Sequence, residues 1–465
     1  RGGTSSAGAA MSVNTAIFKA YDIRGIYPRE LDEATARQIG RAFVAYLGAR
    51  RIAVGRDMRV SAPSIAAAFV EGAREQGADV VDYGMIATDM LYFAVARDGH
   101  DGGAMVTASH NPKEYIGMKL VRAEAFPLSG EAGIGQMRDM VAGGTIPPPA
   151  APRGSLSVNA ALLDDYVAHV LKFIDPAIIK PFDVVLDAGS GMAGLVAPKL
   201  FEKLPCRTTR LCFDIDGTFP NHEANPLIEE NRRDLVERVV AERADIGIAW
   251  DGDADRCFFV DRDGEFIPGD FVTALLAEAF LMRERGAAIV YDLRASFAVR
   301  DTIAKYDGRA LMNRVGHAFF KKRMREENAV FGGEVTGHYY FRDNFYADNG
   351  FIPAMLILEL MSIKGQALHE LLEPLRARYF ISGEINTRVQ SMALVDEKLA
   401  GLEEMGRRVA GATVYRMDGV SVEAPDWHFN VRASNTEPLL RLNLEATTPS
   451  VMEAKRDEVL GFIRG

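Results

Sequence analysis

Three times along this 465-residue chain a short apolar run closes on a polar turn, and a second apolar run, beyond a helix-length stretch, opens into a polar loop. The first runs are Ile52-Ala53-Val54-Gly55-Arg56-Asp57, Val184-Val185-Leu186-Asp187 and Ile289-Val290-Tyr291-Asp292. The loops are Thr107-Ala108-Ser109-His110-Asn111-Pro112, Asp251-Gly252-Asp253-Ala254-Asp255-Arg256 and Gly333-Glu334-Val335-Thr336-Gly337-His338. Strand-length runs alternating with helical spacing, such as 63–76 followed by Val80–Tyr83, argue α/β layers with largely parallel sheets. The repeat therefore predicts three similar α/β domains, each presenting one loop from a strand's end.

Beyond about residue 373 the pattern changes. Short alternating strands at Val420–Glu423, Trp427–Ala433 and Leu439–Glu445 lie between helical stretches at Leu394–Val409 and Ser450–Ile463. This predicts a smaller α+β domain with an antiparallel sheet. With the proline-rich run 147–152 read as a linker, the expected domains are 11–154, 155–264, 265–372 and 373–465.

Composition narrows the function. Fifty-four basic against 64 acidic side chains give a net charge of −10, which argues against a nucleic-acid surface. No apolar stretch approaches the ~20 residues of a membrane span, and residues 1–10 lack a signal peptide's apolar core, so the cytoplasm is the expected location. Cys206, Cys212 and Cys257 have neither a disulfide framework's number nor zinc spacing, and read as structural thiols.

Asp251, Asp253 and Asp255 put carboxylates on alternate residues; in an extended segment all three project to one face. Such crowding needs a cation, and Mg²⁺ is favoured because Arg256 alongside suggests phosphate nearby. The EF-hand pattern is excluded, since its sixth and twelfth positions are Arg256 and Arg262. Ser109, on a turn closed by Asn-Pro, can be a nucleophile or phosphate carrier; His110 is its neighbour in sequence and need not face it. Gly189-Ser190-Gly191-Met192-Ala193-Gly194, with Asp214 about twenty residues on, matches a dinucleotide fingerprint, but a nicotinamide enzyme explains neither the aspartates nor the serine. Arg432-Ala433-Ser434-Asn435-Thr436 has a phosphate cradle's composition.

Together these loops resemble the α-D-phosphohexomutase family, specifically its phosphomannomutase/phosphoglucomutase group. The match runs in order through Lys19-Ala20-Tyr21-Asp22-Ile23-Arg24-Gly25, the Ser109 loop, Gly117-Met118-Lys119, the aspartate loop, Gly316-His317, the Glu334 loop and the Arg432 loop. The resemblance implies four domains around a central cleft and a phosphorylated Ser109 that binds Mg²⁺ together with the three aspartates. It implies interconversion of 1- and 6-phosphohexoses of mannose and glucose through a bisphosphorylated hexose, with glucose 1,6-bisphosphate or its mannose analogue as activator. Arg24, Lys119 and Arg256 would surround the transferring group, with Lys119 or His338 moving the proton. Tyr21, His110, His317, Glu334 and Thr336 would meet the sugar, and Arg432, Ser434, Asn435 and Thr436 would hold its distal phosphate. The expected partner is a small phosphosugar, with neither nucleic acid nor membrane, and a monomer is expected rather than a dimer. Two departures stand out: Thr336 replaces a serine common among relatives, and Arg294 stands where the better-known dual-specificity enzymes carry lysine. Phosphoglucosamine mutase is the alternative within the family; a Mg-dependent sugar-phosphate phosphatase using Asp251 or Asp253, a dehydrogenase and a non-catalytic phosphosugar-binding protein are the rivals outside it.

Overall fold

The computed structural model describes residues 13–434 and 437–465. Strands β1 (Ile23–Ile26), β2 (Arg51–Arg56), β3 (Asp79–Met85), β4 (Gly102–Val106), β5 (Tyr115–Arg122), β6 (Phe126–Pro127) and β7 (Leu156–Val158) form the first sheet, in the order β1-β5-β4-β2-β3-β7 with β6 beside β5. β8 (Asp183–Asp187), β9 (Arg207–Leu211), β10 (Ile246–Trp250) and β11 (Cys257–Asp261) form the second, ordered β11-β10-β8-β9. The third contains β12 (Ala288–Asp292), β13 (Arg309–Asn313), β14 (Phe331–Gly333), β15 (Tyr339–Phe341) and β16 (Ala347–Asp348), ordered β13-β12-β14-β15-β16.

One plan underlies all three. The central strands β2, β8 and β12 run parallel to both neighbours. Buried on both faces, they read as near-continuous apolar runs. In each sheet a strand parallel to these then turns back into an antiparallel partner: β4 into β5, β10 into β11, β14 into β15. The three polar loops are the turns of those hairpins. In the fourth sheet β17 (Phe380–Arg388), β18 (Thr413–Tyr415), β19 (Val420–Glu423), β20 (Trp427–Ala433) and β21 (Leu439–Ala446) are antiparallel throughout, ordered β17-β21-β20-β19-β18. The Arg432 loop is the β20–β21 turn.

Two predicted boundaries move. β7 pairs in parallel with β3, so the first sheet continues past residue 154. The helix Leu368–Arg376 straddles 372/373, yet it buries Leu368 and Leu372 in the core shared with the third domain. Short edge strands and amphipathic connectors carry weak signals, which is why both were misplaced.

One continuous apolar core runs through the first three domains, from Met90 and Leu91 through Leu186 and Ile248 to Phe271 and the helix Ile352–Lys364. The fourth domain has a core of its own, around Leu402, Val422, Phe429 and Leu442. It is joined to the third where Phe297 N–H donates to Glu445 (2.9 Å), the Phe297 ring stacks on His428, and Arg300 pairs with Glu423 (3.5 Å). None of the described helices is long and apolar enough to cross a membrane.

Candidate active site

The Ser109 turn is built on an ion pair that sequence reasoning missed. Arg59, wholly buried, pairs with Asp57 (3.3 Å) at the end of β2. Its guanidinium donates to the carbonyls of Ser109 (3.0 Å), Asn111 (2.8 Å), Pro112 (2.8 Å) and Tyr115 (3.1 Å). Asp57 also accepts from Thr107 Oγ1 (2.6 Å), which in turn accepts from Ser109 N–H (2.9 Å). Such charges satisfy one another and the turn's carbonyls, which makes their burial tolerable. They also hold Ser109 at φ 52°, a left-handed conformation unusual for a residue other than glycine. Two charges directly after a buried strand were the available signal.

The aspartates converge, but not because the chain stays extended. After β10 it turns, with Ala254 at φ 63°, and ligand atoms of Asp251, Asp253 and Asp255 lie within 4.8 Å of one another. Asp251 Oδ2 accepts from Ser109 Oγ (3.1 Å) and Arg256 Nε (2.9 Å). Asp253 accepts from Thr88 Oγ1 (2.5 Å) and Lys119 (2.6 Å), and Lys119 also bonds Asp255. Gly252 lies so close to the serine turn that a Cβ there would sit 2.6 Å from the Ser109 carbonyl. The metal and serine loops thus meet backbone to backbone.

The electrostatics suit a cation. Burial raises Asp253, but the Lys119 ammonium outweighs it and brings the carboxyl down to about 2. Burial and the charge of Asp253 push Asp255 up to about 7. Asp253 Oδ1 and Asp255 Oδ1 are buried without a hydrogen-bond partner, and orphaned carboxylate oxygens are costly. An all-oxygen set with unused lone pairs fits Mg²⁺.

His110, whose adjacency left its direction open, does approach the serine: its Nδ1 lies 3.3 Å from Ser109 Oγ. Burial and the cations Arg256, Arg24 and Lys119 hold its pKa well below the usual range, leaving it neutral. Arg24, on β1, reaches the turn through Asn111 Oδ1 (2.5 Å) rather than touching Ser109.

On the third domain Glu334 accepts from Tyr340 OH and from Gly316 N–H (3.2 Å). Gly316, at φ 126°, leads into the helix His317–Glu327; Tyr21 packs edge-on against His317 (5.2 Å between ring centres), bringing the first domain to this junction. Burial and Lys321 lower His317 to about 3. His338 bonds Asp348 (3.1 Å), which also pairs with Lys321 (2.8 Å), and the Asp255, His338 and Asp348 ligand atoms cluster within 4.8 Å. Burial opposes the charging of His338, but Asp348 and Asp255 override it and raise its pKa. Asp348 and Lys321, missed from sequence, lie on an edge strand and a helix with no motif around them.

Arg294 is pinned rather than free. It bonds both oxygens of Asp292 (3.0 Å each) and reaches across to Glu384 of the fourth domain (3.3 Å). Arg432 and Arg441 stand 4.0 and 3.9 Å from the same Glu384. With Arg294 already paired to Asp292, Arg432 and Arg441 share Glu384, and their buried Nε atoms have no partner. Burial and Arg294 lower the Arg432 pKa. Two guanidiniums sharing one carboxylate suit an anion. A cavity of about 450 Å³, lined by Arg294, Thr336, Glu384 and Asn386, opens beside it between the third and fourth domains. Ser434 lies at the end of β20; Asn435 and Thr436 lie outside the described residues.

The glycine fingerprint has a packing explanation. A Cβ on Gly191 would meet the Gly252 carbonyl at 2.5 Å, and Met192 N–H donates to that same oxygen (2.9 Å). These glycines let the loop press against the aspartate loop.

Comparison with known proteins agrees with the four-domain fold. The phosphoglucomutase/phosphomannomutase alpha/beta/alpha domains I, II and III match residues 15–137, 164–264 and 268–379, and the C-terminal domain matches 384–461. The chain belongs to the phosphoglucomutase/phosphomannomutase family. It is a mutase. A phosphomannomutase of Salmonella montevideo is 42% identical over 457 residues, covering 97% of this chain and 99% of that one. An enzyme of Xanthomonas campestris named for phosphohexose mutases is 41% identical over 452 residues, covering 96% and 99%. A crystal structure of a family protein from Burkholderia thailandensis superposes with a TM-score of 0.87 at 34% identity, covering 97% of this chain and 98% of that one.

Proposed function

We propose that this phosphohexomutase interconverts mannose 1- and 6-phosphate, and glucose 1- and 6-phosphate, through a phosphorylated Ser109 and a bisphosphorylated hexose. The observation that carries this reading is Ser109 Oγ standing 3.1 Å from Asp251, within a buried trio of carboxylates flanked by Lys119 and Arg256. Asp251, Asp253 and Asp255 would hold Mg²⁺ with an oxygen of the Ser109 phosphate, and the ion supplies Lewis-acid stabilisation of the charge on the transferring group.

The chain's own residues do the rest. Arg59 and Asp57 fix the turn that aims Ser109 into the cleft, and phosphoryl transfer depends chiefly on such positioning and on charge neutralisation. The attacking sugar hydroxyl forms a bond to phosphorus as the bond to Ser109 Oγ breaks; the second half-reaction reverses this at the other carbon. Lys119 and His338 both lie against Asp255; charged, either can return a proton to the leaving oxygen, and the one that takes up the hydroxyl's proton first passes its own to a neighbouring carboxylate. Arg432, Ser434, Asn435 and Thr436, with Arg441, would clamp the distal phosphate, so binding energy remote from the chemistry orients the hydroxyl. Glu334 and Thr336 would read the 3- and 4-hydroxyls, which glucose and mannose share, and this supports dual specificity. All these residues come from one chain, consistent with a working monomer.

Phosphorus NMR tests the reading. With Mg²⁺ and a trace of glucose 1,6-bisphosphate, both mannose 1-phosphate and glucose 1-phosphate are expected to convert to 6-phosphates, and Ser109→Ala to abolish conversion of each. Release of inorganic phosphate, or conversion that survives in Ser109→Ala, would overturn it.

A further inference from the structure

Away from the aspartate cluster, the second domain brings together three donors that the mutase reaction does not use. Asp187 ends β8, Cys212 follows β9, and His222 lies in the irregular loop 212–228. Ligand atoms of the three lie within 4.8 Å of one another. His222 Nε2 is 3.0 Å from Asp187 Oδ2 and 3.7 Å from Cys212 Sγ. Around a tetrahedral zinc with bonds of about 2.0 Å to N or O and 2.3 Å to S, those separations would be about 3.3 and 3.5 Å.

Two of the three ligands are also oriented from behind. His222 Nδ1 lies 2.9 Å from the Glu223 carbonyl, so Nδ1 carries a proton and Nε2 is the atom turned to the other donors. Asp187 Oδ1 accepts from Gly189 N–H (2.9 Å), which leaves Oδ2 to face the cluster. The arrangement is not a nucleophilic triad, because one imidazole nitrogen meets both the carboxylate and the sulfur.

From this geometry we infer that Asp187, Cys212 and His222 form a binding site for a thiophilic transition-metal ion of the Zn²⁺ kind, with a fourth position left to water. Thiolate and imidazole donors select such an ion, whereas Mg²⁺ prefers oxygen alone. The two sites therefore sort two different metals by donor chemistry. With Nε2 3.0 Å from Asp187 Oδ2, the entering ion replaces the proton lying between them, and this proton and the Cys212 thiol proton pass to solvent.

The ion would staple a loop that reaches the catalytic machinery. Phe219 lies under the Arg59 guanidinium (5.4 Å), and Gly217 abuts the Met58 carbonyl. Sequence spacing gave no hint of the trio, because its members are 25 and 10 residues apart and meet only through the sheet.

Cobalt(II) is the probe, added to the full chain with Mg²⁺ at saturation. One equivalent should bring up a thiolate-to-cobalt charge-transfer band, kept in Cys206→Ser, lost in Cys212→Ser, and demanding at least about tenfold more cobalt in His222→Ala. Zn²⁺ should bleach the band stoichiometrically and slow amide hydrogen exchange across 213–228. Absence of the band, or a band that survives Cys212→Ser, would overturn the site.

Discussion

The two ends of the cleft are built differently. The serine, aspartate and sugar loops stand on domains that share one continuous core, and buried ion pairs lock them together. The Arg432 loop stands on a domain with a separate core, tied to the third domain through Phe297, His428, Glu445 and the Arg294–Glu384 bridge. A domain with a core of its own can move relative to its neighbour unless their interface is large and apolar. On the proposed function the difference is a division of labour: the end where bonds would change stands on the continuous core, and the end that would grip the distal phosphate stands on a separate one and can give way while the proposed intermediate turns round.

Substitutions can break or sharpen that contrast. The largest effect belongs to the rigid end, where Ser109→Ala should lower turnover by at least about 10⁴-fold in a coupled assay with the fold intact by circular dichroism. Next comes Gly252→Ala, whose Cβ would press the Ser109 carbonyl at 2.6 Å. A displacement approaching 1 Å should cost about 10²-fold in kcat, with KM little changed.

At the gripping end Arg432→Met should act on the opposite parameter. We expect kcat/KM to fall about 10- to 100-fold, chiefly through KM, and bisphosphate to escape into solution where chromatography can count it. The smallest effect should come from Glu445→Gln, which weakens the acceptor for Phe297 N–H by about 1 kcal/mol. Hydrogen exchange should then quicken at the third–fourth domain junction while the aspartate loop is unmoved. Equal quickening at both would erase the proposed contrast.

Much of this layout was legible in the sequence because it rests on local signals. Fully buried parallel strands read as apolar runs, and the hairpin turns between antiparallel partners collect the polar residues, so Ser109, Asp251, Glu334 and Arg432 stood out. What escaped is assembled from distant parts of the chain. Arg59 bonds carbonyls 50 to 56 residues away, Glu384 gathers Arg294, Arg432 and Arg441 from two domains, and Asp348 meets His338 and Lys321 across a sheet edge. The aspartate loop shows the intermediate case: alternate spacing flagged the right residues, while the turn at Ala254, which brings them together, has no mark in the sequence.

The most direct test asks where the phosphate resides. Protein incubated with labelled glucose 1,6-bisphosphate and Mg²⁺, quenched and digested, should carry its label on the peptide containing Ser109, stable to acid as a phosphate ester is. Label on the peptide containing Asp251 and Asp253, lost on mild alkali or hydroxylamine treatment as an acyl phosphate is, would contradict the account.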